Sequence, residues 1–298
     1  MKKIIKVRYG QTRADKSCGG GASKMMKEQL DSVKIREELC KMLRELDEYL
    51  GRHEIQYSIM SGTMLGAVRH GGFIPWDDDI DIAVLRKDYD RLIEILRINK
   101  RIGAELEISG YEVDKTDMPF LKVYNKSIVV KDNLANDSSE LWIDIFPFDN
   151  VPDRGTWSYC QCVRLMQKLY QKNLEANGFY TLEATRKKGI YNYLNKIVVW
   201  IAGKFDKEKL VERYISFCKK YKNQECRYIQ DLTWGTKAVP RALFDEIIDY
   251  QFENITVKGI KDYDTYLKCV YGDYMKLPPE DQRVNHGIKA WRVMDNEE

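Results

Sequence analysis

The chain has 298 residues, of which 44% are hydrophobic and 32% are charged, and this balance excludes an intrinsically disordered protein. Its 49 Lys and Arg residues nearly cancel its 46 Asp and Glu residues, which leaves a formal net charge of +3. A chain with so small an excess of cations is a poor general nucleic-acid binder, and we therefore expect no nucleic-acid partner.

Cysteine content and apolar runs bear on the compartment in which the protein works. The seven cysteines are odd in number and scattered, unlike the even sets of secreted disulfide frameworks. The first residues lack the apolar run of a signal peptide, and no stretch reaches the ~18–20 apolar residues of a membrane span. We predict a cytoplasmic protein, and association with the inner face of the membrane stays open.

The N-terminal region divides into a tail and a helix. Residues 1–27 are predicted to form a flexible tail, because the Gly-rich run at 18–23 has nothing to pack. From residue 30 to residue 50 the apolar positions recur at three- and four-residue steps, which predicts an amphipathic helix. Gly51 is expected to be its C-cap.

Short elements follow that helix. Ser61 or Thr63 is expected to cap the first short helix, and Gly71 is expected to end it. The predicted elements are a strand over 55–60, a helix over 64–69, a strand over 80–85 and a helix over 89–98.

The next part of the chain shows strand patterns and then a long helical, basic segment. Residues 119–130 predict a hairpin that turns at Asn125 and Lys126. Residues 141–148 predict a strand in which Pro147 marks the end or an edge. Residues 160–228 are mostly helical in spacing, with 15 basic against 6 acidic residues over 160–230. Such a segment is typical of a solvated helical face or of a helix that lies on an anionic membrane.

Three aspartates are candidate metal ligands. Asp79 and Asp81 alternate with isoleucines, so on a strand both carboxylates point to one face while the isoleucines enter the core. Two carboxylates on one side of a stiff element suit a hard cation such as Mg²⁺ or Mn²⁺. Asp144 is the lone charge in an apolar run, and a shared metal would satisfy it. The alternatives are a solvated acidic turn and a core aspartate held by backbone N–H groups or an arginine.

A Gly-Thr turn precedes these carboxylates. Gly62 permits close backbone approach, and the amide groups at the start of the following helix, with Ser61 and Thr63, form a natural seat for phosphate. A phosphate seat beside paired carboxylates predicts phosphoryl or nucleotidyl transfer.

The block over residues 61–81 resembles the signature of the LicD family. It reads SGTMLGAVRH at 61–70 and GFIPWDDDID at 72–81. The run YGDY at 271–274, the run LPP at 277–279 and His286 resemble the closing motif of that family, so the similarity spans about residues 30–286. The resemblance implies an α+β fold with a nucleotidyltransferase (polymerase-β-like) core, in which a mixed sheet is flanked by helices around a two-metal site.

The same resemblance implies an activity and residue roles. Members transfer a phospho-alcohol, often phosphocholine from CDP-choline, to a sugar hydroxyl of a cell-surface glycan and release CMP. CDP-choline or another CDP-alcohol is therefore the expected donor, and a glycan, lipid-linked or free, the expected acceptor. Asp79 and Asp81 match the metal-binding pair, Asp144 matches the third carboxylate, and Gly62 and Thr63 match the phosphate-seating turn.

Further candidates have weaker support. Arg69 or Lys122 is expected to neutralise phosphate oxygens, although Arg69 is equally interpreted as a surface arginine. Trp76, Tyr271 and His286 are candidate substrate contacts. Aromatic faces of this kind suit a quaternary ammonium, but large aromatics also serve the core.

These predictions divide the chain into four parts. They are a flexible tail (1–27), a catalytic core (28–150), a basic, mainly helical segment (151–230) and a C-terminal segment that completes the site (231–298). Two other functions stay open: an NTP-dependent nucleotidyltransferase that releases pyrophosphate, and a non-catalytic glycan- or nucleotide-binding module.

Overall fold

A computed structural model describes residues 26–131, 138–178, 190–233, 235–283 and 287–294. His286 and residues 1–25 of the predicted tail lie outside these ranges. The described strands are β1 (Met26–Leu30), β2 (Tyr57–Ile59), β3 (Asp81–Leu85), β4 (Leu106–Ser109), β5 (Leu121–Lys131), β6 (Ser138–Val151), β7 (Tyr228–Asp231), β8 (Val239–Pro240), β9 (Ile247–Phe252), β10 (Ile255–Ile260) and β11 (Lys289–Met294). The described helices are α1 (Ser32–Arg52), α2 (Ser61–His70), α3 (Arg86–Ile98), α4 (Tyr111–Asp114), α5 (Thr156–Ala176), α6 (Ile190–Ala202), α7 (Lys207–Cys218) and α8 (Tyr263–Tyr271).

Nine of the described strands form one mixed sheet. Its main path runs β1-β11-β5-β6-β3-β2, with β4 beside β5 and the pair β7–β8 beside β6. β3 and β6 run parallel, and the other described pairs are antiparallel. β9 and β10 form a separate hairpin, while α1 and α3 pack on strands of the sheet. The expected mixed sheet flanked by helices is therefore confirmed.

The predicted hairpin over residues 119–130 is wrong, because this segment is one strand. β5 runs from Leu121 to Lys131 with a register shift between Asn125 and Val129. The Asn125 side chain accepts hydrogen bonds from the backbone N–H and the hydroxyl of Ser127, which makes a local bulge rather than a reversal. The half before the bulge pairs with β4 and the half after it with β11.

Pro147 does not end its strand. It lies inside β6 opposite Val84 of β3. On the other side of β6, the pairing with β5 ends at Ile145 and the pairing with β7 begins at Phe148. Proline has no N–H to donate, so it is tolerated at the point where β6 changes its antiparallel neighbour.

The two helix caps predicted in this region are also wrong. α1 continues through Gly51, and His53 is its C-cap. The N-cap of α2 is Met60, which makes no side-chain hydrogen bond. Neither Ser61 nor Thr63 is the capping residue. The predicted end of α2 at Gly71 is confirmed, and Gly71 adopts the αL conformation there, with φ 70°.

The interior contains two hydrophobic clusters. The larger lies between the sheet, α1 and α3, and the apolar face of α1 is buried in it as the spacing predicts. The smaller joins α5 and α7 around Tyr170 and Tyr214. Within the described parts of residues 160–228, the predicted helical character is confirmed by α5, α6 and α7. No helix among the described residues has the length and apolar content needed to cross a membrane.

Candidate functional site

A row of three charged residues crosses the middle of the sheet. Asp144 of β6 is in register with Asp81 of β3 on one side and with Lys122 of β5 on the other. Residues in register on adjacent strands point to the same face, so the three side chains lie side by side. The Lys122 Nζ lies 2.8 Å from Asp144 Oδ1, and both side chains are largely buried. The structure thus brings together three residues that are distant in sequence.

Asp79 and Asp81 are not both on the strand. β3 begins at Asp81, and Asp79 lies in the segment just before it. The Asp81 N–H donates to Thr63 Oγ1 at 2.9 Å, which fixes the start of β3 to the first turn of α2. The isoleucines on either side of Asp81 are fully buried, whereas both aspartates are partly exposed, as the alternation predicts. Asp79 also lies close enough to act electrostatically on Asp81.

Like charges accumulate around Asp81. Burial, followed by the carboxylates of Asp79, Asp144 and Asp77, raises the pKa of Asp81 well above its usual range, and the Lys122 ammonium opposes this rise. An assembly of carboxylates on a partly buried surface is unfavourable without a compensating cation. Such an arrangement is more typical of a functional site than of a structural ion pair.

The first turn of α2 lies directly beside this cluster. Ser61 adopts φ 49°, which is uncommon for a residue with a side chain. Its N–H donates to the hydroxyl of Tyr266 on α8 at 3.0 Å. A Cβ added to Gly62 would lie 2.5 Å from Asp77 Oδ2, so a side chain at position 62 would require the Asp77 carboxylate to move. The Asp77 carboxylate therefore lies close to the backbone of the turn.

Two tyrosines of α8 border the cluster. Tyr266 is fully buried, and burial raises its pKa to about 12. Tyr271 retains an exposed surface, but burial, then Tyr266 and Asp81, raise the pKa of its hydroxyl well above the usual value. The predicted substrate contact at Tyr271 is therefore adjacent to the acidic cluster.

The other predicted site residues lie further out. Arg69 is in the last turn of α2, where its guanidinium donates to the carbonyl of Tyr274 at 2.8 Å. The Trp76 ring lies beneath the guanidinium of Arg283 at 5.2 Å. His286 lies outside the described residues. Arg69 and Trp76 therefore make intramolecular contacts here, and their roles towards phosphate and substrate stay predictions.

The donor atoms around Asp81 are carboxylate oxygens. Within the described ranges, no group of three or more His, Cys, Asp or Glu residues is already arranged to hold a metal ion. The oxygen chemistry nevertheless fits Mg²⁺ or Mn²⁺, because Asp79, Asp81 and Asp144 supply carboxylates from one small region. Asp144 Oδ1 lies 2.8 Å from Lys122 Nζ, so this carboxylate already has a cationic partner.

Sequence reasoning missed two contributors to this site. Asp77 belongs to the acidic run before β3, and its position within the conspicuous 72–81 block was a usable signal. Tyr266 is 205 residues from Ser61, and nothing in the local sequence of α8 indicates that its hydroxyl holds the α2 turn.

Comparison with known proteins adds a second line of observation. Residues 54–177 match the family model described as LicD/FKTN/FKRP, nucleotidyltransferase domain. The chain is 28% identical over 274 residues to the lipopolysaccharide cholinephosphotransferase LicD of Haemophilus influenzae, covering 89% of this chain and 100% of that protein. It is 29% identical over 107 residues to the ribitol 5-phosphate transferase FKRP of Homo sapiens, covering 35% of this chain and 19% of that protein. An uncharacterized protein of Rickettsia typhi is 41% identical over 69 residues, covering 23% of this chain and 22% of that protein.

The matched region coincides with the structural centre described above. Residues 54–177 include α2, β3, β5 and β6, and with them the Lys122–Asp144–Asp81 row and the Ser61–Thr63 turn. The resemblance indicated by the 61–81 block is confirmed, because residues 54–177 match the LicD/FKTN/FKRP family model and similarity to a LicD protein extends over 89% of the chain.

Proposed function

We propose that this chain is a divalent-cation-dependent transferase that moves a phospho-alcohol from a CDP-alcohol to a sugar hydroxyl of a glycan and releases CMP. Phosphocholine from CDP-choline is the first substrate to test, since a relative similar over nearly the whole chain is named a lipopolysaccharide cholinephosphotransferase. The relative named a ribitol 5-phosphate transferase supports the wider class of phospho-alcohols. We also propose that the mixed sheet is a nucleotidyltransferase (polymerase-β-like) core.

The observation that carries this proposal is the Lys122–Asp144–Asp81 row beside the first turn of α2. Phosphoryl transfer requires little covalent help from a protein but much positioning and charge compensation. A cluster of carboxylates next to backbone amides supplies sites for both a cation and an anion.

Each part of the row has a proposed role. Asp79 and Asp81 hold the cation, with Asp144 as the third carboxylate once it separates from Lys122. Mg²⁺ held by these carboxylates would supply positive charge to offset the donor diphosphate. The N–H groups of Gly62 and Thr63 at the start of α2 bind phosphate oxygens, because the Ser61 N–H is already bonded to Tyr266.

Lys122 compensates negative charge on Asp144 and on the donor phosphate. Its ammonium lies 2.8 Å from Asp144 Oδ1 and 4.6 Å from the centroid of the Trp142 ring, so it is held on the site face of the sheet. When Asp144 turns to the cation and the acceptor hydroxyl, Lys122 is in position to contact a phosphate oxygen of the donor. Asp144 orients that hydroxyl and accepts its proton.

The test is product analysis with purified protein. We expect CMP release from CDP-choline or another CDP-alcohol when Mg²⁺ and a glycan acceptor are present, and none when EDTA removes the cation. Pyrophosphate release from an NTP instead of CMP release would replace the proposal with nucleotidyl transfer. Cation-independent ligand binding without any product would identify a binding module and overturn the proposal.

A further inference from the structure

α6 presents an apolar face to the outside of the molecule. Six side chains on it are 39–67% exposed, which is unusual for residues of this kind on a monomeric surface. They are Tyr193, Leu194, Ile197, Val198, Trp200 and Ile201. At ~100° per residue they span an arc of roughly 160° around the helix, so they form one continuous face.

The opposite side of α6 is fixed to α5. Lys172 Nζ donates to Asn195 Oδ1 at 2.6 Å, and Asn173 Nδ2 donates to the carbonyl of Ala202 at 2.8 Å. A Cβ added to Gly203, just after the helix, would lie 2.8 Å from the Cβ of Ala176, so the two helices approach closely there. The apolar face is therefore held outward by polar and steric contacts on its reverse side.

The charged side chains of α6 itself are all cationic. Over residues 184–205 the sequence contains no Asp or Glu. Within α6 and its end, Lys196 and Lys204 are the charged residues, and the Lys204 ammonium lies 5.0 Å from the centroid of the Trp200 ring. Arg186, Lys187 and Lys188, which precede α6, lie outside the described residues.

A small cavity adjoins the same face. It has a volume of about 420 Å³ at the junction of α5 and α6, and Lys196, Lys204 and Trp200 line it. Glu175 also lines it, but the carboxylate of this residue pairs with Lys172 at 2.7 Å. The cavity places two cations and an aromatic ring at the border of the apolar face, an arrangement that suits anionic head groups.

Two other occupants fit the face less well. A 13-residue helix is only ~20 Å long, shorter than the ~30 Å hydrocarbon core, so α6 does not span a bilayer. A second copy of the chain packed on the same face would bring cations of the two copies towards each other without carboxylates between them. Lys and Trp beside an apolar arc are instead characteristic of helices that lie in a membrane interface.

We propose that α6 docks on the surface of an anionic phospholipid bilayer, with its apolar face entering the head-group region and Lys196 and Lys204 contacting lipid phosphates. This contact is separate from the chemistry at Asp81 and does not require donor, acceptor or divalent cation. It places the protein on a surface without a membrane-spanning segment among the described residues.

Flotation of the full chain with lipid vesicles tests the proposal. Vesicles of phosphatidylcholine containing ~30% phosphatidylglycerol are expected to carry the protein at about 0.05 M salt and to lose most of it at about 0.5 M. The double variant Trp200→Ser/Ile201→Ser is expected to lower the bound fraction by at least about fivefold. Trp157→Ser is the matched control, because this tryptophan is 74% exposed at the far end of α5 and is expected to leave binding unchanged.

A second variant separates the contribution of the lysines to vesicle binding from that of the apolar face. Lys196→Glu/Lys204→Glu keeps the apolar face and is expected to abolish binding to anionic vesicles at low salt. Circular dichroism shows whether each variant retains its helices, as expected for changes at exposed positions. Equal binding of wild type and Trp200→Ser/Ile201→Ser would overturn the proposal. A dimer in size-exclusion chromatography that this variant dissociates, with no vesicle binding by wild type, would also overturn it.

Discussion

The two ends of the parallel pair β3–β6 differ in the partners of their buried carboxylates. At one end Asp81 lies beside Asp144, and further carboxylates raise the pKa of Asp81. At the other end Arg86, the first residue of α3, donates from Nε and Nη2 to both carboxylate oxygens of Asp149, at 2.6 and 2.9 Å. Arg86 and Asp149 are 4% and 0% exposed.

The contrast separates a structural ion pair from a functional cluster. The bidentate Arg86–Asp149 pair satisfies its own charge, and Lys219 and Asp90 extend it into a network. At the Asp81 end several carboxylates lie close together, and Lys122 is the cation that opposes them. The same two strands thus have one end that stabilises the fold and one end that is suited to binding a cation.

The largest expected effect is on stability at the Arg86 end. Arg86→Met leaves the Asp149 carboxylate buried without its bidentate partner, and we expect a loss of about 3–5 kcal/mol in the free energy of unfolding. Urea denaturation measures it. Arg241→Met is the matched control, since Arg241 forms an exposed pair with Asp245 and its loss is expected to be within about 0–1 kcal/mol. Similar losses in both variants would remove the distinction between the two kinds of pair.

The next effect is on activity at the Asp81 end. Asp81→Asn keeps the shape of the side chain but removes a cation ligand, so we expect kcat for CMP release to fall about 10²–10³-fold while the fold is retained. Asp249→Asn makes the same change on an exposed strand residue and is expected to keep full activity. An Asp81→Asn protein that turns over donor at the wild-type rate would contradict the proposed role.

The pH dependence of stability provides a sharper comparison. The folded-state pKa of Asp81 is raised, so the folded protein keeps a proton that the unfolded chain has released. The higher affinity of the folded protein for this proton stabilises it. Without divalent cation, this stabilisation is fully present below about pH 4 and is lost as pH rises through the folded-state pKa of Asp81. Asp81→Asn is neutral throughout, so its stability relative to wild type should increase from pH 5 to about pH 8.

The measurement is urea unfolding of both proteins in EDTA across this pH range. Burial also raises the pKa of Asp149, but that residue is present in both proteins and cancels in the difference. Mg²⁺ at the upper end of the range is expected to stabilise wild type and not Asp81→Asn. A stability difference that does not change with pH would show that the charge of Asp81 is compensated in the folded protein.

The smallest effect concerns the hydroxyl that holds the α2 turn. Tyr266→Phe removes the acceptor of the Ser61 N–H, and we expect a stability loss of about 0.5–1.5 kcal/mol together with a raised KM for the donor. Tyr250→Phe is the control, because the Tyr250 hydroxyl donates to the carbonyl of Ile260 at 2.8 Å in the β9–β10 hairpin. It should lose similar stability with an unchanged KM. Equal KM values in the two variants would argue against a role of the turn in phosphate binding.

Much of the local structure could be predicted because it depends on residues close in sequence. The periodicity of α1 places its apolar residues in the core, and Gly71 ends α2 in the αL conformation. The exceptions are local as well. Asn125 has the side chain of a turn residue, but in β5 it forms a bulge because neighbouring strands pair on both sides of it.

The site was predictable only in part. The acidic run before β3 and the lone charge of Asp144 are visible in the sequence because charges rarely interrupt apolar strands. That Lys122 pairs with Asp144, and that Asp77 lies against Gly62, follows from strand register and loop path. Strand alternation predicts the face of Asp79, although β3 itself begins two residues later, at Asp81.

By itself the sequence determined the resemblance to the LicD family, the main helices and the positions of the acidic residues, since each depends on a short continuous segment. Only the tertiary structure decided which carboxylate meets which cation, that Tyr266 supports the α2 turn, and that α6 keeps its apolar face outside. The physical reason is that strand register and helix packing join residues tens to hundreds of positions apart, where no local pattern of side chains specifies the partner.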